Sequence, residues 1–189
     1  NPVVPEQPIV RTPTPRTRTY TLPNTLMIPS ELRTQWPPVE WTSAKAYAFN
    51  QKDFGPQSNL YAYKDGIWNE SISQEHTLSL QQAQKSLELN HRLGGTLIVS
   101  KCAFPRHAVV FFDAQNQPVA SINVCFSCGD ILVWPPYTDD EHWNATRFSY
   151  QDREESMPMI FSAHEQILPL WETLLLKESN LPVYAPIEK

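Results

Sequence analysis

The chain has 189 residues, enough for one ordinary domain and too few for two full ones. A hydrophobic fraction of 41% suits a packed core, and a net charge of -5 gives no dominant field to attract a polyanion. Arg11, Arg16, Arg18 and Arg33 are separated by Thr and Pro, so nucleic acid is not an expected partner. No run is apolar for long enough to make a transmembrane segment.

Residues 1–30 carry Pro2, Pro5, Pro8, Pro13, Pro15, Pro23 and Pro29 among Thr, Gln and Arg. Proline supplies no backbone N–H and this stretch has little to bury, so it reads as an extended tether. Residues 31–189 read as a single globular domain. The first residue is Asn1 and the opening is rich in Pro and Thr, as in a mature exported chain. The expected location is the periplasm or the outer cell envelope, with a possible lipid anchor lost with a processed N-terminus.

In chain order, Lys45–Asn50 and Asn59–Tyr63 have strand character, and Lys64-Asp65-Gly66 supplies a turn before Ile67 and Trp68, so a meander is expected. Ser79 and Gln82 form a capping-box pattern, and Leu80, Ala83 and Leu87 follow at helical spacing until Gly94-Gly95; the spacing predicts a helix over 80–93. Three more strands are expected at Thr96–Lys101, His107–Asp113 and Val119–Phe126, with Ile131–Trp134 as a fourth. Residues 135–157 read as a long loop. A last helix is expected over Ile167–Lys177, capped by Ser162 and Glu165 and broken or restarted at Pro169. The pattern predicts an α+β fold, a single mostly antiparallel sheet flanked by two or three helices with a Pro-rich N-terminal tail.

Ala114-Gln115-Asn116 suits a three-residue hairpin loop with Asn116 left-handed, which pairs Asp113 with Gln117. That register puts Ala108, Val110 and Phe112 on one apolar face with Ala120, Ile122 and Val124. His107, Val109 and Phe111 then share the other face with Val119, Ser121, Asn123 and Cys125, and His107 comes within reach of Cys125.

Cys102, His107, Cys125 and Cys128 form the pattern C-x4-H-x17-C-x2-C. In an oxidising compartment the preferred reading is a structural disulfide from Cys102 to either Cys125 or Cys128. The alternative is a zinc site of all four residues, or a thiol-dependent enzyme in which His107 or Arg106 activates Cys125 or Cys128. A redox pair usually opens a helix, whereas this one closes a strand and is followed by Gly129-Asp130. Asp139, Asp140 and Glu141 lack the spaced ligands of a calcium loop, and no phosphate loop or Gly-x-Ser-x-Gly elbow is present.

The strings Cys102-Ala-Phe-Pro105-Arg106-His107 and Val124-Cys125-Phe126-Ser-Cys128 resemble a pattern found in a group of uncharacterised bacterial proteins of envelope or lipoprotein type. Asn180-Leu181-Pro182-Val183 is similar to their closing Gly-Leu-Pro segment. Asn116 and Asn180 stand where that pattern has glycine, which implies a left-handed backbone at both. Residues and resemblance together lead to an expectation of a non-enzymatic binding or assembly protein with a protein partner in the cell envelope and no cofactor. Zinc is the alternative.

Overall fold

The computed structural model describes residues 31, 34–52, 59–93, 104–127, 129–137 and 166–183. The proline-rich tether, the strand expected at Thr96–Lys101, nearly all of the 135–157 loop and the Ser162/Glu165 cap lie outside the described residues.

Seven strands and the two helical segments named below dominate the described structure, an α+β fold. The strands are β1 (Ser43–Ala48), β2 (Tyr63–Lys64), β3 (Ile67–Trp68), β4 (Gln74–Thr77), β5 (His107–Phe112), β6 (Pro118–Cys125) and β7 (Asp130–Trp134). Helix α1 spans Leu80–Leu93, and α2 runs through 166–172 into a π-helical turn, Thr173–Glu178. Five strands form an antiparallel sheet in the order β4-β1-β5-β6-β7, and β2 and β3 form a separate hairpin. The expected meander is therefore not formed. β1 pairs with β5 and with β4, a strand too polar to announce itself.

Both faces of the sheet are buried. Ala44, Ala46 and Ala48 alternate along β1 toward the helices, and their small side chains let α1 come close to the strand. Val109, Phe111, Ala120, Ile122 and Val124 extend this face against Ala83 and Leu89 of α1 and Ile167, Trp171, Leu174 and Leu175 of α2. On the other face, Tyr47, Ala108, Val110 and Phe112 pack under Ala62 and Tyr63. The β2–β3 turn has Asp65 at φ 50° and Gly66 at φ 83°, the two positive angles a tight hairpin turn needs.

Helix α1 begins where its capping box places it. Gln82 N–H donates to Ser79 Oγ at 3.2 Å and Ser79 N–H donates to Gln82 Oε1 at 2.9 Å. Its buried stripe is Ala83, Ser86, Leu89 and Asn90, so Leu80, expected on the apolar face, is 62% exposed. Residues 166–172 stay helical through Pro169 because proline's own φ is helical. The irregularity comes later, where Ser179 N–H reaches back five residues to Leu174 O at 3.1 Å. No described helix is long and apolar enough to cross a membrane.

The hairpin turn forms as its sequence predicts. Asn116 has φ 59°, Asp113 N–H donates to Gln117 O at 3.0 Å, and Phe112 pairs with Pro118. One residue further the register shifts: a bulge lets Phe111 pair with Ala120, and from there His107 is opposite Val124. The expected sharing of faces is thereby corrected. His107, Val109 and Phe111 lie with Ala120, Ile122 and Val124 on the helix side, while Ser121, Asn123 and Cys125 lie on the side of β2 and β3.

Replacing the capping hydroxyl in Ser79→Ala is expected to cost about 1 kcal/mol of stability, read from the urea midpoint at unchanged m-value. An unchanged midpoint would mean that the box does not hold the helix start.

Candidate functional site

The open end of the β5–β6 hairpin is built by residues just outside the two strands. Arg106 N–H donates to Val124 O at 3.3 Å, and Arg106 O accepts Phe49 N–H at 2.9 Å, so the chain before β5 is still held on both sides. A buried polar network fixes it further. Asn50, with φ 51°, donates from Nδ2 to Asn59 O at 2.8 Å and to Pro105 O at 3.2 Å, and Arg106 Nη1 donates to Asn50 O. Ser71 Oγ lies 2.9 Å from Asn50 Oδ1 and 2.6 Å from Asn69 Oδ1. Asn50, Asn69 and Arg106 are buried, where an unpaired polar group costs about 1–3 kcal/mol, so the network favours a single arrangement.

A second segment crosses the sheet at the same level. Gln74, Ala48, His107 and Val124 form one row across four strands. After α2, Asn180 turns the chain with φ 50°, as its place in the glycine-like pattern implied, and the following residues run over that row. Gln74 Nε2 donates to Asn180 O at 3.0 Å, Leu181 is buried in the helix-side core, and His107 Nε2 lies 2.8 Å from Pro182 O.

Between these parts lies a cavity of about 400 Å³ lined by Phe104, Arg106, His107, Phe126, Ser127, Leu168, Pro169, Glu172, Leu176 and Val183. Arg106 and His107 are buried and form its inner end, while Ser127, Pro169, Glu172 and Val183 are exposed at its lip. Phe104, Phe126, Leu168 and Leu176 are half-buried walls. Leu168, Glu172 and Leu176 recur at helical spacing on one side of α2, and Leu176 sits in the π-helical turn, a deviation often found where a helix serves a site.

His107 is the most constrained polar group in the lining. A carbonyl can only accept, so Nε2 carries the proton toward Pro182 O, and Nδ1, buried, has no partner among the described residues. Burial lowers its pKa from the ordinary 6.5; the hydrogen bond to Pro182 opposes that shift and the nearby Arg106 charge adds to it. The ring is therefore a neutral imidazole at pH 7. Phe126 meets it edge to face with ring centroids 5.4 Å apart.

Of the four residues singled out from the sequence, the structure describes two, and the register places their side chains on opposite faces. His107 lines the cavity. Cys125 is a buried free thiol whose Sγ accepts Phe104 N–H at 3.2 Å and lies 3.5 Å from Ser127 Oγ. Cys102 and Cys128 lie outside the described residues, as do both expected bridges in part and the complete zinc set. Among the described residues no group of three or more His, Cys, Asp or Glu could hold a metal ion. Sequence reasoning passed over Phe104, Phe126, Leu168, Glu172 and Leu176. The available signal was position, since Phe104 and Phe126 flank the ends of a strand pair whose helix-side face is apolar.

No protein-family model, curated protein or solved structure matches the chain.

Because the folded chain keeps His107 neutral while the unfolded chain protonates it near 6.5, the unfolded state binds more protons as the pH drops below that value. Stability is therefore expected to be fully present above 6.5 and to decline from there down through the lowered folded pKa. Urea midpoints measured from neutral to mildly acid pH should fall less steeply for His107→Gln, which keeps a donor for Pro182 O and cannot take up a proton. Equal slopes would remove His107 from the pH response.

Proposed function

We propose that this protein is a non-enzymatic binding protein of the bacterial cell envelope, and that it holds a small, largely apolar ligand in the cavity between the β5–β6 hairpin and α2. The observation that carries the reading is the cavity itself. It has aromatic and aliphatic walls, a few convergent polar groups at its inner end, and about 400 Å³ of space, the character of small-molecule sites generally. Its inner end is held by backbone-directed hydrogen bonds from Arg106 and His107, so the site is rigid before any ligand arrives.

The envelope location rests on the resemblance of the cysteine pattern to that of envelope-type proteins. With Cys125 a free thiol, the disulfide consistent with this reading is Cys102 to Cys128. In sequence these residues stand two positions before Phe104 and one after Ser127, so such a bridge joins the two segments that carry the cavity wall. It would stabilise chiefly by restricting the unfolded chain.

The neutral dye N-phenyl-1-naphthylamine is expected to bind with a rise in fluorescence, and Leu176→Trp, which fills the cavity from α2, is expected to abolish the rise while leaving the far-ultraviolet circular dichroism unchanged. Dye binding that persists in Leu176→Trp places the dye elsewhere and contradicts the reading. For the cysteines, intact-mass analysis after alkylation under denaturing, non-reducing conditions should find one modified thiol and two hydrogens missing. Bound zinc with three thiols modified only after chelation would overturn the bridge in favour of the metal site.

A further inference from the structure

The sheet face away from the helices carries an aromatic row that the cavity does not use. Ring centroids of Trp134 and Tyr63 lie 5.2 Å apart, those of Tyr63 and Trp68 4.9 Å, and those of Trp68 and Tyr47 5.3 Å. Three steps of about 5 Å carry the row from β7 to β1 over about 15 Å, with Trp68 stacked on Phe112. Tyr47 and Tyr63 are buried, whereas Trp68 is 38% exposed and its indole N–H has no partner among the described residues. We propose that this row is the docking surface for the chain's own proline-rich opening, residues 2–11, bound as a polyproline II helix. The inference is independent of the cavity reading, which concerns the helix side of the sheet.

Spacing identifies the occupant. Polyproline II has three residues per turn and rises about 3.1 Å per residue, so side chains three apart line one ridge. Pro2, Pro5, Pro8 and Arg11 stand three apart, and the three prolines span about 19 Å, enough to cover the row. This helix makes no internal hydrogen bonds, so its carbonyls are free to accept, and the Trp68 indole N–H is a donor within the row. Aromatic surfaces bind proline-rich segments in general because the proline backbone is ordered in advance and little entropy is lost on docking.

Charge and connectivity set the direction. Residues 1–30 hold three arginines and one glutamate, a net +2, so the remaining residues carry -7 and bring the total to -5. At the Trp134 end of the row Asp65 is exposed, its Oδ1 accepting Trp134 Nε1–H at 2.7 Å. At the Tyr47 end Glu75 is already paired with Lys45 at 3.0 Å. Arg11 therefore belongs at the Asp65 end and Pro2 at the Tyr47 end. An exposed ion pair contributes little energy, so it orients the segment while the proline ridge supplies the contact. The same end is where the chain rejoins the core, because Trp36 Nε1–H donates to Pro135 O at 2.7 Å, one residue past Trp134. The 24 residues between Arg11 and Trp36 can span about 80 Å, ample for the return. Segment and row belong to one chain, so their effective concentration favours a contact too weak to hold a free peptide.

The test is the indole signal of Trp68 in proton–nitrogen correlation spectra of the full-length protein, identified by its loss in Trp68→Phe. If Trp68→Phe fails to fold, contacts of the ring with Tyr47 and Phe112 identify the same signal. In the triple variant Pro2→Ser, Pro5→Ser, Pro8→Ser, the Trp68 signal is expected to shift and its indole hydrogen to exchange with solvent about fivefold faster, the worth of one hydrogen bond. The signal of Trp171, buried in the helix-side core, should stay in place. In the unaltered protein, nuclear Overhauser contacts from the Pro5 and Pro8 rings to Trp68 are expected at every protein concentration. A Trp68 signal that is the same in the triple variant and the unaltered protein overturns the proposal. Contacts that grow with concentration, or that form between isotopically labelled and unlabelled copies, place the segment on a second copy and overturn the assignment to its own chain.

Discussion

The structure turns on one extra residue in β6. The Ala114–Asn116 loop fixes Phe112 opposite Pro118, and Asp113 holds the loop by accepting the Gln115 and Gln117 N–H groups on Oδ1 at 2.9 and 2.8 Å. An uninterrupted ladder from that point would send Ser121 and Asn123 toward the helices, into a core of Val, Ile, Leu and Trp side chains. The bulge beside Phe111 sends them the other way. There Ser121 Oγ donates to Tyr63 O at 2.8 Å, and Asn123 accepts Ala62 N–H at 2.8 Å and donates to Leu132 O at 3.2 Å. Leaving those groups unpaired would cost about 1–3 kcal/mol each, more than a disrupted ladder bond at about 1 kcal/mol. The polar residues of β6 therefore decide the register, and the β2–β3 segment is docked by the same bonds.

Everything at the candidate site follows from that choice. With Val124 facing the helices, its row partner His107 must face them too, and His107 is then placed to hold Pro182 O as the chain after α2 crosses the sheet. Val183, one residue on, becomes part of the cavity lip, and α2 is kept over the strand ends by Trp171, Leu174 and Leu175 in the core. The π-helical turn lets the helix end and the crossing segment meet the sheet together, through Ser179 N–H to Leu174 O and Leu181 N–H to Leu175 O. Cavity shape, imidazole protonation and hairpin register are thus one linked arrangement.

Local chemistry in this chain was legible wherever it depended on a few neighbouring residues. The Ser79/Gln82 box placed the start of α1, Asp65-Gly66 placed the β2–β3 turn, and Asn116 and Asn180 announced their left-handed backbone. The α+β class followed from helical and strand patterns of ordinary length. What sequence could not supply was long-range. β4 reads Gln-Glu-His-Thr, an exposed edge strand whose only reason to be extended is Ala44–Ala48 beside it. The bulge was hidden because both faces of β5 are apolar, so alternation fits either register, and the deciding partners of Ser121 and Asn123 lie some sixty residues earlier in the chain. The same flip removed the expected meeting of His107 and Cys125.

The most direct test of this account is the cross-strand register, read by nuclear Overhauser contacts between backbone protons of β5 and β6. The account predicts that Val109 is opposite Ile122 and His107 opposite Val124, with Phe112 still opposite Pro118. Contacts that place Val109 opposite Ser121 and His107 opposite Asn123 would describe an unbulged ladder, would turn His107 toward Cys125, and would contradict the site described above.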